Sequence, residues 1–158
     1  MIVVRYAHLH EDAVKDSIVE EAFQSVRKIY RPLSKAVPVT ENDSFECQSV
    51  VAFLDEALVG TAAVYQEARS LRLAQVAVKP SVQGQGVGRR LIWFLNQVAS
   101  DAGLEELRLN TILETGNVPI FERLGFSVVG SCPASWCESD CFECLTDIEM
   151  VMPCVSVI

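Results

Sequence analysis

The stretch Val76-Ala77-Val78-Lys79-Pro80-Ser81-Val82-Gln83-Gly84-Gln85-Gly86-Val87-Gly88-Arg89-Arg90-Leu91 constrains the fold most. An apolar run stops at Pro80, three glycines follow in alternation, and a strongly periodic helical pattern opens on them. A strand that turns through glycines into a helix belongs to chains that mix sheet and helix. Glycines have no Cβ, so backbone N–H groups there can converge on one anion. The first helical turn adds unpaired N–H donors and a partial positive charge. The expectation is a seat for a phosphate or pyrophosphate. A tight turn whose glycines serve only packing is the plainer reading; the strand-loop-helix context favours the anion seat. The ligand is not the one a Walker loop holds, because Gly-Lys-Ser/Thr is absent. The dinucleotide fingerprint counted from Gly84 fails at Arg89.

Around this junction the pattern alternates strands and helices. Residues 2–6 predict a short strand and residues 12–30 a helix, stopped at Arg31-Pro32 because the residue before proline avoids helical geometry. The stretch to Ser44, with Pro32, Pro38, Asn42 and Asp43, reads as a loop. Phe45 to Leu54, Ala57 to Gln66 and Ser70 to Lys79 predict an antiparallel meander, with Asp55-Glu56 as its first turn. Residues 86–102 predict the best helix, with Leu91, Phe94, Leu95, Val98 and Ala99 on one face and Gly103 past its end. A strand over Leu104 to Asn110, a short helix over 117–124, and strands over Phe126 to Gly130 and Leu145 to Met152 complete the order β-α-β-β-β-α-β-α-β-β. No repeat or linker interrupts the 158 residues, so one domain over 1–158 is expected.

Composition narrows the partners. Half the residues are hydrophobic, enough for a buried core. Thirteen Lys and Arg against 21 Asp and Glu give a net charge of -8, which argues against phosphate-neutralising nucleic-acid binding. No apolar run is long enough to cross a membrane, and Met1-Ile2-Val3-Val4 meets Arg5 before any signal-peptide core forms. A cytoplasmic location is expected, with the six cysteines as thiols or metal ligands.

Two segments carry a family resemblance. Gln83-Gly84-Gln85-Gly86-Val87-Gly88 is similar to the Gln/Arg-x-x-Gly-x-Gly/Ala signature of the GCN5-related N-acetyltransferases (GNAT). Asn117-Val118-Pro119-Ile120-Phe121-Glu122-Arg123-Leu124-Gly125-Phe126 resembles that family's second motif, which ends in Tyr-x-x-x-Gly-Phe. The likeness covers most of the chain and is strongest from Leu71 to Val129. It implies an α/β fold of the α+β type: a mixed, mostly antiparallel central sheet flanked by helices, with splayed fourth and fifth strands. It implies acetyl-CoA as co-substrate and a small-molecule or peptide amine as acceptor. Carried over by position, the backbone of Val76, Ala77 and Val78 would pair with the pantetheine. Gln83, Gly84, Gln85, Gly86, Val87, Gly88 and Arg89 would hold the pyrophosphate. The Val78 N–H would stabilise the oxyanion. Asn117 and Phe121 would touch the cofactor. A monomer or homodimer is expected.

The sequence departs from the pattern at three places. Phe121 stands where many members have a Tyr that protonates the leaving thiolate, an effect typically worth about 10²–10⁴-fold. A thiol with a pKa near ~8.5 can still leave with water's help. The family's Asn position falls on Glu114, with Asn117 three residues later. The strand glutamate expected near Ala74 or Gln75 is missing, so Glu114 and Glu67 are the candidate bases, beside a water chain.

Cys132, Cys137, Cys141 and Cys144 lie close in sequence, but only Cys141-x-x-Cys144 has zinc-like spacing. The expectation is thiols in a variable loop and no metal. A non-catalytic acyl-CoA-binding module and, further off, a zinc-binding interaction domain are the rival readings. The acceptor is expected to be shaped by residues 31–44 and 131–145, which match no readable pattern.

Overall fold

Period-two alternation and helical spacing resolve into real elements in the computed structural model, which describes residues 1–33 and 47–154. The strands are β1 (Ile2–Tyr6), β2 (Arg31–Pro32), β3 (Gln48–Leu54), β4 (Ala57–Gln66), β5 (Ser70–Val78), β6 (Glu106–Ile112), β7 (Ser127–Pro133), β8 (Cys137–Glu138) and β9 (Thr146–Pro153). The helices are α1 (Asp12–Arg27), α2 (Val87–Asp101) and α3 (Val118–Leu124). The expected loop from Ser34 and the start of the strand expected from Phe45 lie outside the described residues. No described helix is long and apolar enough to cross a membrane.

Seven strands form one mixed sheet in the order β1-β3-β4-β5-β6-β9-β7. Every pairing is antiparallel except β5 with β6. The predicted meander is β3-β4-β5, the second to fourth strands of this sheet in chain order. Its first turn uses Asp55 (φ 49°) and Glu56 (φ 73°), and Asp55 is held by the N-terminal ammonium at 2.8 Å.

The core forms where α2 lies on the sheet. Leu91, Leu95 and Ala99 are fully buried against Val50, Ala62, Leu107 and Met150. Gly60 on β4 allows this approach: a Cβ there would sit 3.1 Å from Val87 Cγ1 and 3.3 Å from Leu91 Cδ1. A separate small cluster of Ile112, Ala134, Cys137 and Leu145 packs with Tyr30.

The segment between β7 and β9 is not a free loop. Its β8 pairs with β2, so the end of α1 and the cysteine segment are joined. Arg31 binds Glu138 and Asp140 at 3.0 Å, and the Leu33 N–H donates to the Trp136 carbonyl at 3.0 Å. Arg31 is exposed, so this pairing orients the segment more than it stabilises it.

At the other end of α1, Arg5 forks onto the Glu11 carboxylate at 2.8 and 2.7 Å, and the His8 N–H donates to it at 2.7 Å. The Arg5 hydrogen bond, then the His8 amide, hold the Glu11 carboxyl down from the ordinary 4.5 to about 2, against the opposing effect of burial. A depressed folded-state pKa contributes stability that is complete above the unfolded value and is lost as pH falls from about 4.5 to about 2. Glu11→Gln is therefore expected to lower stability at neutral pH and to flatten its acid dependence in that window. Chemical denaturation between pH 2 and 6 measures it; an unchanged acid slope would refute the assignment.

Candidate active site

The two parallel strands part company early. β5 pairs with β6 only over Ser70–Leu73 and Glu106–Leu109. A bulge then inserts Ala74, because Ala63 faces Gln75 while Val64 faces Leu73. Beyond it β5 follows β4, and β6 follows β9, so a gap opens between β5 and β6.

The polarity of that gap follows from the pairing. The Lys79 N–H donates to the Val59 carbonyl at 2.7 Å. In an antiparallel ladder the bonded positions recur every second residue, so Ala77 also bonds β4, opposite Thr61. The N–H and C=O groups of Val76 and Val78 therefore point into the gap. This narrows the sequence expectation for Ala77, whose own backbone groups face β4. The Val78 carbonyl is already occupied: Gln83 Nε2 donates to it at 3.2 Å, tying the glycine loop to the strand end.

The loop itself sits at the mouth of the gap and is exposed from Gln83 to Gly86. Gly84 (φ 84°) and Gly86 (φ 89°) adopt the left-handed conformation, and Gly86 caps α2. The Arg90 N–H donates to the Gly86 carbonyl at 3.0 Å, closing the first turn. The earlier helical amides, those of Val87, Gly88 and Arg89, have no preceding helical carbonyl. Among the described residues, the Gly84, Gln85 and Gly86 amides have no backbone acceptor either. Gly88 has ordinary helical geometry and nothing within 4 Å of where a Cβ would stand. The glycine loop is thus open and rich in free donors.

Deeper in, the gap becomes a cleft of about 440 Å³. Ala74, Gln75 and Val76 form one wall, and Leu109 to Ile112 the other. Asn117 and Phe121, from the start of α3, line it as well, and Phe121 stacks edge-on against Phe126 at 6.0 Å. Gly125 ends that helix at φ 113°, where a Cβ would meet Met152 Sδ at 2.9 Å. Phe121 brings no hydroxyl, but Tyr30 and Tyr65 bring two. Burial pushes the Tyr65 phenol above its usual pKa, so it stays protonated at neutral pH.

The candidate bases are placed elsewhere. Glu114 does not line the cleft; its Oε1 accepts the Thr146 N–H, and its Oε2 is buried with no partner among the described residues. A strand-end carboxylate is drawn to the nearest unpaired amide, here at the start of β9. Glu67 accepts from Arg72 Nε at 2.6 Å and lies outside the cleft too. The carboxylate that does line the cleft is Asp147, which accepts from Asn110 Nδ2 at 2.9 Å and Trp136 Nε1 at 3.2 Å. Sequence reading missed it, because only the β6-β9 register brings Asp147 opposite Ile112. Trp136 meets Tyr30 edge-on at 5.7 Å, so these two rings roof the cleft from opposite ends of the chain.

The cysteines do not converge. Cys137 is buried with its thiol near the Ala134 carbonyl, and Cys141 points to the Lys28 carbonyl. Among the described residues, the one grouping of three potential ligands is His8, His10 and Glu11. Its carboxylate is already bound by Arg5. A larger cavity of about 800 Å³, lined by Tyr6, Phe94 and Asp101, lies at the opposite ends of β5 and α2 from the glycine loop.

The family model described as "Acetyltransferase (GNAT) family" matches residues 13–126. Solved structures agree in fold. The ribosomal-protein-S18-alanine N-acetyltransferase from Escherichia coli superposes with a TM-score of 0.74 at 17% identity, covering 100% of this chain and 97% of that one. A nourseothricin acetyltransferase gives 0.69 at 20%, covering 98% and 99%. An aminoglycoside 6'-N-acetyltransferase complexed with coenzyme A gives 0.68 at 18%, covering 99% of each.

Proposed function

Because the chain belongs to the GNAT acetyltransferase family, we propose that it transfers an acetyl group from acetyl-CoA to a primary amine of a small molecule or peptide. The observation that carries this reading is the widening gap between β5 and β6, which leads from the donor-rich glycine loop into the cleft. The loop amides from Gly84 to Arg89 fit a pyrophosphate without any basic surface, which suits a chain of net charge -8. Val76 and the Val78 N–H, whose groups face the gap, would pair with an extended amide-bearing arm, as an added strand would. Asn117 and Phe121 flank that arm. Residues 1–158 are read as one such domain, in a cytoplasmic setting.

The chemistry needs little of the protein. The amine nitrogen attacks the thioester carbonyl carbon, the C–S bond breaks, and the sulfur leaves as thiolate. The nitrogen sheds one proton and the sulfur takes one up. The cleft's share is to align the two reactants and exclude bulk water. A backbone N–H aimed at the developing oxyanion adds electrostatic stabilisation. Phe121 supplies no acid, and Glu114 faces β9; both favour a second reading, a module that binds acyl-CoA without turnover.

One experiment separates these. Acetyl-CoA at 100 times its Kd should add about 2.7 kcal/mol of stability, roughly 5–10 °C in Tm for a domain of this size. No shift at millimolar acetyl-CoA would sink both readings. Thiol release on adding amines, polyamines or peptide N-termini supports the enzyme; a shift with no release across the panel supports the module.

A further inference from the structure

We infer that the acceptor carries a carboxylate beside its amine, and that Arg27 binds it; this rests on the acetyl-transfer reading above. The cleft is lined by two guanidinium groups, and they differ. Arg72 is neutralised: it pairs with Glu67 at 2.6 Å and with Glu149 at 3.6 Å. Arg27 has no carboxylate in ion-pair range among the described residues. It lies over the rings of Tyr30 at 5.4 Å and Phe23 at 6.0 Å. Stacking uses the face of a guanidinium and leaves its edge donors free, in the fork geometry that suits a carboxylate. Two aromatic contacts also hold the side chain in place, which reduces the entropy lost when a ligand binds.

Across the same cleft stands the opposite charge. Asp147 is fixed by Asn110 and Trp136, each using one oxygen, so further lone pairs stay available. Arg27 comes from the end of α1 and Asp147 from the start of β9, and both line this one cleft. A cleft of about 440 Å³ with a cation and an anion at separate places, between aromatic walls, matches a small zwitterion. The substrate class is an amino acid or a close analogue. Its ammonium is drawn to Asp147 and must lose a proton before attack; its carboxylate forks onto Arg27.

Matched acceptors test this. Initial rates of thiol release are compared for phenylalanine and phenethylamine, and for tyrosine and tyramine. The amino acid of each pair should be preferred at least tenfold in kcat/KM, mostly through KM. Arg27→Gln should remove about that tenfold for the amino acids, Arg27→Lys should restore part of it, and both should leave the decarboxylated amines unchanged. Equal use of the two members of a pair, or an equal loss for both in Arg27→Gln, would overturn the assignment. If no amine at all is acetylated, the functional reading fails separately. The inference is then decided by binding: the amino acids, added with coenzyme A, should raise the Tm of the unaltered protein but not of Arg27→Gln. No such difference would refute it.

Discussion

Gly88→Leu is expected to weaken acetyl-CoA binding by about 100-fold or more while leaving the fold intact or slightly more stable. Position 88 makes no conformational demand for glycine. Its geometry is ordinary helix, and a Cβ there would stand in open space. Nothing among the described residues therefore asks for glycine, and exchanging it for leucine gains about 0.8 kcal/mol of helix propensity. What a leucine side chain would fill is the open space beside the first α2 amides. Losing even two hydrogen bonds to a charged phosphate at about 1.5 kcal/mol each amounts to roughly two orders of magnitude in Kd. Titration calorimetry and a melting curve on the same sample check both halves. A Tm held or raised with affinity within threefold of the original would remove the loop from the binding site. Gly86→Val should abolish binding too, but its φ of 89° makes that variant strained, so Gly88 is the cleaner probe.

Gly60→Val is expected to lose about 2–3 kcal/mol of stability and, with it, cofactor affinity. Here the glycine serves packing. A Cβ would already sit 3.1 Å from Val87, 3.3 Å from Leu91 and 3.4 Å from the Ala77 carbonyl. The two γ-methyls of valine have no room, and overpacking of a tight core costs typically 1–3 kcal/mol. Relief comes from lifting the start of α2 off β4, which moves the very amides proposed to hold the pyrophosphate. The expected Tm loss is roughly 5–10 °C. Acetyl-CoA should restore less of it than it adds to the unaltered protein. Normal stability would show that α2 tolerates displacement; normal affinity at reduced stability would show that the seat does not depend on the α2-β4 contact.

What could be read from the residues was what depends on near neighbours. The strand-to-helix junction at Val76–Leu91 was legible because its parts are local: a proline stop, glycines that accept positive φ, and a helix whose apolar residues recur at three and four. Gly103 and Gly125 were legible as helix ends for the same reason. The bases were not. Glu114 was a sound candidate by residue type, yet it binds an amide 32 positions away, at Thr146. Nothing near Glu114 in the chain announces that partner. The expectation of a helix to residue 30 overran by three positions, because the end of α1 gives way to β2, whose partner β8 lies over a hundred residues on.

The cysteine segment shows the same divide. Its polar residues and irregular spacing read as a variable loop, and the sequence held no sign that Trp136 would meet Tyr30 or that Cys137 would be buried. By itself the sequence determined the family, the mixed sheet-and-helix fold and the glycine turn that opens α2, since these rest on backbone preferences within about twenty residues. The tertiary structure alone decided what lines the cleft: which carboxylate faces inward, and that Arg27 and Asp147 share one space. The reason is that β9 enters the sheet between β6 and β7, a long-range pairing whose register places Asp147 at the cleft, while β2 and β8 bring the end of α1 over it. Such pairings are chosen by the packing of whole faces, and no short stretch of sequence records them.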